Sequence, residues 1–389
     1  MNVREMEIYV HIPFCVQKCS YCDFLSMPAD DDVKKQYIGR LKEEIRQMSE
    51  EYPGRPVKSV FFGGGTPSIL PGSVITGIMD CIRENFQIQS GAEITIECNP
   101  GTLDVSRLTQ YKKAGINRLS LGLQSADDKE LKLLGRIHTY EDFLKSFDCA
   151  RKCGFDNINV DVMSGLPTQK LKSWEQTLKK VTGLKPEHIS AYGLIVEEGT
   201  PFWKIYGYDE ETRRKGEQPL FLPSEEEERQ MYAFTVEYLG KKGYERYEIS
   251  NYARPGHQCI HNRGYWDRSD YLGVGLGASS MMDNCRFSNT GSMEEYLKGR
   301  TLEGEKYRLS RREQMEEFMF LGMRMTEGIS RTDFLKAFQV TVDFVYGDIL
   351  KKLEQEGLVR DEKGRICLTD RGIDVSNYVF SQFLMDEEE

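Results

Sequence analysis

Three cysteines, Cys15, Cys19 and Cys22, fall within eight residues of one another near the start of the chain. Three thiolates so close can wrap one small iron–sulfur cluster, because a loop of this length curls around it. On a four-iron cube they leave one iron open. The amino and carboxylate groups of S-adenosylmethionine can chelate such an iron, and electron transfer then cleaves the sulfonium to a 5′-deoxyadenosyl radical. That one-electron chemistry belongs to the cofactor, while the protein positions it and excludes competing reactions. Structural zinc normally takes four ligands in paired short spacings, which this motif does not offer.

The elements that must hold such a loop are legible around it. Six β-rich runs, EIYVHIPF, VKSVFFGG, EITIECNP, RLSLGLQS, NINVDVMSG and HISAYGLIV, alternate with helical patterns from residue 7 to about 196. That alternation predicts a parallel sheet covered by helices. KKQYIGRLKEEIRQMSEE shows the helical spacing, with Tyr37, Ile38, Leu41, Ile45 and Met48 on one side. Residues fit for chemistry cluster at the C-terminal ends of the runs, where α/β barrels and open sheets place their sites.

The CxxxCxxC spacing, with Tyr21 before the third cysteine, resembles the signature of the radical S-adenosylmethionine superfamily. The resemblance implies a partial (β/α)6 barrel with cofactor contacts in a set order along the chain. Gly63-Gly64-Gly65-Thr66-Pro67 ends the second run, and its bare backbone can approach a ligand closely. Glu97 can accept hydrogen bonds from an amino group or ribose hydroxyls, and Gln124 offers both a donor and an acceptor. Arg136 suits the methionyl carboxylate. Asp161, a charge inside an apolar strand, needs a partner if buried and is placed on ribose or a polar neighbour. Tyr9 is a core aromatic by default; the superfamily places a ligand-contacting tyrosine there. The expected S-adenosylmethionine set is therefore Tyr9, Tyr21, Gly64, Gly65, Thr66, Glu97, Gln124, Arg136 and Asp161.

YVHIPFC, CDF, FFGGGTPS, LGLQS and DVMSGLP together resemble the oxygen-independent coproporphyrinogen III oxidases and their close relatives, the HemW haem chaperones, over essentially the whole chain. The oxidases carry a fourth cysteine two places after the third, where this chain has Phe24, and a longer N-terminal extension. His261-Asn262-Arg263-Gly264-Tyr265-Trp266 matches the HNxxYW motif of the chaperones. Read physically, His261 is an imidazole able to ligate haem iron, with Tyr265 and Trp266 as faces for a porphyrin; the alternative is a buried aromatic cluster. His257 and Cys259 are rival ligands. The following GVGLGASS is too glycine-rich for a regular element and reads as a close-approach loop. Cys81, Cys98, Cys149, Cys153, Cys285 and Cys367 lack cluster spacing, and core packing suits Cys149 and Cys153. Cys98, beside Glu97, stays open.

The resemblance thus implies a [4Fe–4S] cluster, S-adenosylmethionine and haem as cofactors, and transfer of haem to acceptor haemoproteins, some at the membrane. Flavodoxin or ferredoxin would donate electrons if radical chemistry occurs, and a homodimer is left open. The alternative is oxidative decarboxylation of coproporphyrinogen III or another tetrapyrrole; a third reading is a DNA-associated iron–sulfur sensor.

At 389 residues the chain exceeds what one core usually organises. The expected division is a radical S-adenosylmethionine core over 1–200, an accessory α+β region over 201–304, and a winged-helix-like domain over 305–389. KIYGYDEETRRKGEQPLFLPSEEEE reads as a connection. A helix begins near Ser224, with acids in its first turn and Gly243 at its end. GLVRDEKGRICLTDRG reads as two strands about a turn, and the final DEEE as a frayed tail. Winged helices often bind DNA, but the net charge of −10 disfavours a broad grip on nucleic acid or an anionic membrane. No apolar run of about 18 residues occurs, and charges interrupt the N-terminal stretch, so a cytoplasmic chain is expected, peripheral at the membrane when it delivers haem. Ten scattered cysteines fit a reducing compartment.

Overall fold

The structure, a computed structural model, describes residues 4–385; the acidic tail expected to fray lies outside them. All six runs form strands: β1 (Met6–Ile12), β2 (Pro56–Gly64), β3 (Gln87–Cys98), β4 (Arg118–Gln124), β5 (Ile158–Ser164) and β6 (His188–Gly193). They pair in parallel in sequence order, each pair joined by a crossover containing helix. The helix Asp31–Glu51 starts where the Asp30 carboxylate accepts from the Val33 N–H, and it buries Tyr37, Leu41 and Ile45.

Period-2 alternation gives the sheet two unlike faces. Leu119, Leu121 and Leu123 of β4, Ile158, Val160 and Val162 of β5, and Ile94 and Ile96 of β3 join the helices in the main core. The other face is polar. Ser120 donates to Asp161 at 3.0 Å, Asn159 donates to Ser120 at 2.7 Å, and the Asn159 carbonyl meets His188 Nδ1 at 2.6 Å. A packed barrel normally fills its interior with branched apolar side chains. Polar groups there must satisfy one another or a ligand.

Residues 201–308 add strands at both edges of this sheet, so the boundary expected at 304/305 falls inside the last of them, which pairs with its neighbour as far as Arg308. β7 (Glu245–Arg246) and β8 (Asn251–Ala253) follow β6. Beyond β1 lie β9 (Asp270–Val274), parallel to it, and the antiparallel β10 (Ser279–Met282), β11 (Cys285–Asn289) and β12 (Leu302–Arg308). Two readings change. The glycine-rich segment Gly273–Ser280 is not merely a loop, since Gly273 sits within β9, where a Cβ would lie 2.3 Å from the Ser279 carbonyl oxygen. The supposed connection after residue 200 begins as the helix Pro201–Arg214, capped by the Thr200 hydroxyl with proline at its first turn. Phe202 and Tyr206 bury that helix against Leu134, Met163, Leu166 and Leu222, and this apolar anchor outweighs its glycine and charge content. The helix Glu225–Lys241 has the expected Ser224 cap, with Glu227 completing a capping box.

Past Arg308 come helices Arg311–Gly322, Arg331–Phe338 and Val342–Gln355, and a small sheet in the order β13 (Ile329–Ser330), β15 (Arg365–Leu368), β14 (Val359–Glu362). Its β14–β15 turn has positive φ at Lys363 and Gly364, as a two-residue hairpin requires. This unit has its own core around Phe334, Tyr346 and Leu353. It meets the barrel where the Thr326 N–H donates to the Tyr247 carbonyl at 3.0 Å and Arg324 lies over the Trp266 ring at 4.4 Å. Among the described residues, no helix is long and apolar enough to cross a membrane.

Candidate functional site

The cysteine loop leaves β1 and is pinned at its base by Cys15 N–H to the Met27 carbonyl (3.1 Å) and Met27 N–H to the Pro13 carbonyl (2.8 Å). Its middle is stitched to two helix ends, with the Ser20 N–H donating to the Leu134 carbonyl at the end of the helix Asp128–Leu133 and the Phe202 N–H, in the first turn of the helix Pro201–Arg214, donating to the Ser20 carbonyl. All three thiols are free and partly accessible. Cys15 Sγ lies 3.4 Å from Thr66 Oγ1, and Arg136 Nη1 donates to Cys19 Sγ at 3.7 Å. Among the described residues, no three His, Cys, Asp or Glu side chains are gathered around a single-ion site. A cube takes each thiolate on a different iron, so its ligands need not converge on one point. Free thiols, two of them beside the Thr66 hydroxyl and the Arg136 guanidinium, suit an anionic cluster.

Beside the loop, Gly65 approaches the backbone so closely that a Cβ would lie 2.7 Å from the Phe14 carbonyl oxygen and 2.9 Å from its nitrogen. Gly64 has φ +109°, and a Cβ there would strike the His11 ring at 2.5 Å. The Gly64 N–H donates to Glu97 at 3.2 Å. Burial, with the Asp161 charge nearby, pushes the Glu97 carboxyl up to about 8. Asp161 is likewise raised by burial, against hydrogen bonds from Asn159, Ser120 and Ser190. Gln124 takes φ +72°, costly for a residue with a Cβ, and its carbonyl accepts the Tyr192 hydroxyl at 2.7 Å. That bond leaves the Gln124 amide N–H groups free for a ligand. Arg136 also donates to the Gly122 carbonyl at 2.6 Å.

Of the nine residues expected around S-adenosylmethionine, Thr66, Arg136, Glu97 and Gly64 are joined to the loop or to each other by these bonds, and Tyr21 packs on Phe202. Tyr9 bonds His11 at 3.1 Å and stacks near Phe61. Asn99 and Tyr192 were missed. Asn99 sits in the turn-like IECNP and Tyr192 reads as a strand aromatic; the polar–apolar alternation of β4 to β6 was the signal that inward-facing polar residues line a site.

His261 lies elsewhere in the barrel. The register aligns Glu7, Ser59 and Glu93 in one layer and Tyr9, Phe61 and Thr95 in the next; it then pairs His11 with Gly63, where a Cβ would lie 3.2 Å from Glu97 Oε2, giving a third. The helix Ile260–Trp266 closes the first layer. His261 is 1% exposed, with Nδ1 2.9 Å from Ser59 Oγ, Nε2 3.0 Å from the Tyr265 hydroxyl, and its ring stacked on Phe61 at 5.0 Å. Burial, with Lys58 and Arg118 nearby, pushes its pKa down to about 3, so the imidazole is neutral. Tyr265 packs edge-on to Tyr271, and Trp266 lies beneath Arg324. His261 and Tyr265 are therefore together and turned inward, one aromatic layer from Glu97, whereas Trp266 packs apart from them, against Tyr247, Met325 and Arg324. Of the rivals, Cys259 is buried and donates to Glu93 at 3.3 Å.

Residues 9–181 match the radical SAM superfamily, and residues 309–375 match the HemN C-terminal domain. The chain is 35% identical to the heme chaperone HemW of Bacillus subtilis over 97% of this chain and 98% of that protein. To the heme chaperone HemW of Escherichia coli it is 34% identical over 86% of each. Among solved structures, the coproporphyrinogen III oxidase (HemN) from Escherichia coli, described as a radical SAM enzyme, aligns with a TM-score of 0.82 at 26% identity, covering 98% of this chain and 90% of that one.

Proposed function

The chain belongs to the HemW family of radical S-adenosylmethionine proteins, and from that premise we propose that it binds haem and hands it to acceptor haemoproteins. We further propose that Cys15, Cys19 and Cys22 hold a [4Fe–4S] cluster beside bound S-adenosylmethionine. The observation that carries the chaperone reading over an oxidase one is Phe24, 69% exposed at the end of the cysteine loop, where the oxidases have a fourth cysteine. A bound cluster would supply the electron that cleaves the sulfonium, and flavodoxin or ferredoxin would reduce it.

This chain's own residues then hold the cofactor. Arg136 faces the methionyl carboxylate, the Gly64–Gly65 backbone admits the amino acid end, and Glu97 and Asp161 take the amino group and ribose. Gln124 directs its amide N–H groups at the same ligand, with Tyr9 and Tyr21 packed around it. His261 serves as iron ligand only after Nε2 parts from Tyr265 and its helix withdraws from the barrel, with Tyr265 and Trp266 then free to flank the porphyrin. Delivery is cytoplasmic, and a membrane-bound acceptor supplies any membrane contact.

The second reading, oxidative decarboxylation of coproporphyrinogen III, is favoured by the structural likeness to HemN. An anaerobic assay with reconstituted cluster, reductant and coproporphyrinogen III separates the two. We expect no protoporphyrinogen; its formation would reverse the order.

A further inference from the structure

We propose that Asn99 is a positioning residue that braces two of the three cluster thiols at once. Its amide spans the gap between their donors. Nδ2 donates to Thr66 Oγ1 at 3.0 Å, and Oδ1 accepts from Arg136 Nη2 at 2.8 Å. Accepting from Asn99 on one lone pair, the Thr66 hydroxyl keeps its proton free for Cys15 Sγ, 3.4 Å away, once that sulfur is a thiolate that can only accept. Arg136, held by Asn99 and by the Gly122 carbonyl, turns its other nitrogen to Cys19 Sγ. One amide thus closes a chain of four contacts from Cys15 to Cys19.

Its own backbone is fixed in turn. The Asn99 N–H donates to Ser68 Oγ at 3.1 Å, and Ser68 also receives the Thr102 hydroxyl at 2.7 Å. The amide does this because it carries an acceptor and a donor on one carbon. A carboxylate accepts from Arg136 but has no hydrogen for Thr66, and an aliphatic side chain does neither.

This inference rests on the reading that Cys15, Cys19 and Cys22 hold the cluster. Hydrogen bonds to cluster sulfurs favour the state with the extra electron and raise the reduction potential. Loss of Asn99 should therefore act on two readouts. The cluster potential should shift to more negative values, since both donors lose their aim. S-adenosylmethionine should bind about tenfold more weakly, because an Arg136 free to swing loses roughly one charge-assisted hydrogen bond to the carboxylate.

The test is a redox titration of the reconstituted full chain followed by electron paramagnetic resonance, with calorimetric binding of S-adenosylmethionine to the oxidised cluster. Wild type, Asn99→Ala, Thr66→Val and the double variant are compared. Asn99→Ala should shift both readouts and Thr66→Val should shift the potential, and the double variant should match Asn99→Ala in potential, because a hydroxyl already unaimed has nothing further to lose there. Should Asn99→Ala fail to load iron, an unshifted potential in Thr66→Val overturns the proposal. Loaded Asn99→Ala with wild-type potential and affinity also overturns it, and leaves the cluster reading intact. Wild type without stoichiometric iron and sulfide overturns the cluster reading itself, and the brace with it.

Discussion

Glu93, on the third strand, caps the helix that carries His261: its carboxylate accepts the backbone N–H of His261 at 3.3 Å and of Ile260 at 3.1 Å. The same group receives the Cys259 thiol and lies 4.0 Å from the Arg118 guanidinium. Glu93→Ala would strand two backbone donors and leave a fully buried cation without its neighbour. It should cost roughly 2–4 kcal/mol, measured by urea denaturation of the apo chain. A loss within about 0.5 kcal/mol, typical of surface substitutions, would mean that the helix is not held by this contact.

Glu7 is fully buried in the same layer, against Gly264, with Lys58 at 3.1 Å. Burial pushes its pKa up to about 8, against 4.5 in an unfolded chain. Since the folded value is the higher, its neutral form contributes stability that is full below about pH 4.5 and is lost as pH rises through about 8. Glu7→Gln stays neutral throughout, so wild type should lose stability relative to this variant between about pH 5 and pH 8. Parallel stability curves over that window would refute the assignment.

Gly65→Ala places a methyl against the backbone of Phe14, which has no rotamer to yield. The loop bearing Cys15 must shift. We expect a destabilisation of roughly 1–3 kcal/mol and less iron retained after anaerobic reconstitution than in wild type. Wild-type iron content and stability together would show that the close approach is dispensable.

Cys19→Ala should abolish the brown chromophore after reconstitution, whereas Cys98→Ala and Cys153→Ala should keep it. Cys98 is buried behind β3 with its thiol turned to the Ile96 carbonyl. Full iron and sulfide incorporation in Cys19→Ala would mean that the ligand set lies elsewhere.

The six parallel strands, the Ser224 cap and the turn at Lys363-Gly364 were legible because each rests on local pattern. The helix Pro201–Arg214 was not, since its glycine and charges mask an apolar face visible only once Leu134, Met163 and Leu222 meet it. The strands beyond β1 were hidden likewise, because Gly273 is chosen by the approach of Ser279 from a neighbouring strand. The motifs located Cys15, Cys19, Cys22 and Arg136, but not the Asn99 amide between them, which is distant in sequence from both. His261 was found by motif, while its inward setting depends on Ser59, Phe61 and Glu93 from other strands.

The most direct measurement is a haem titration of the purified chain, apo and with reconstituted cluster, followed in the Soret band. Saturable binding is predicted, with a spectrum altered in His261→Ala and with bound haem passing to an added apo-haemoprotein. Absence of saturable binding in both forms would contradict the haem-chaperone account.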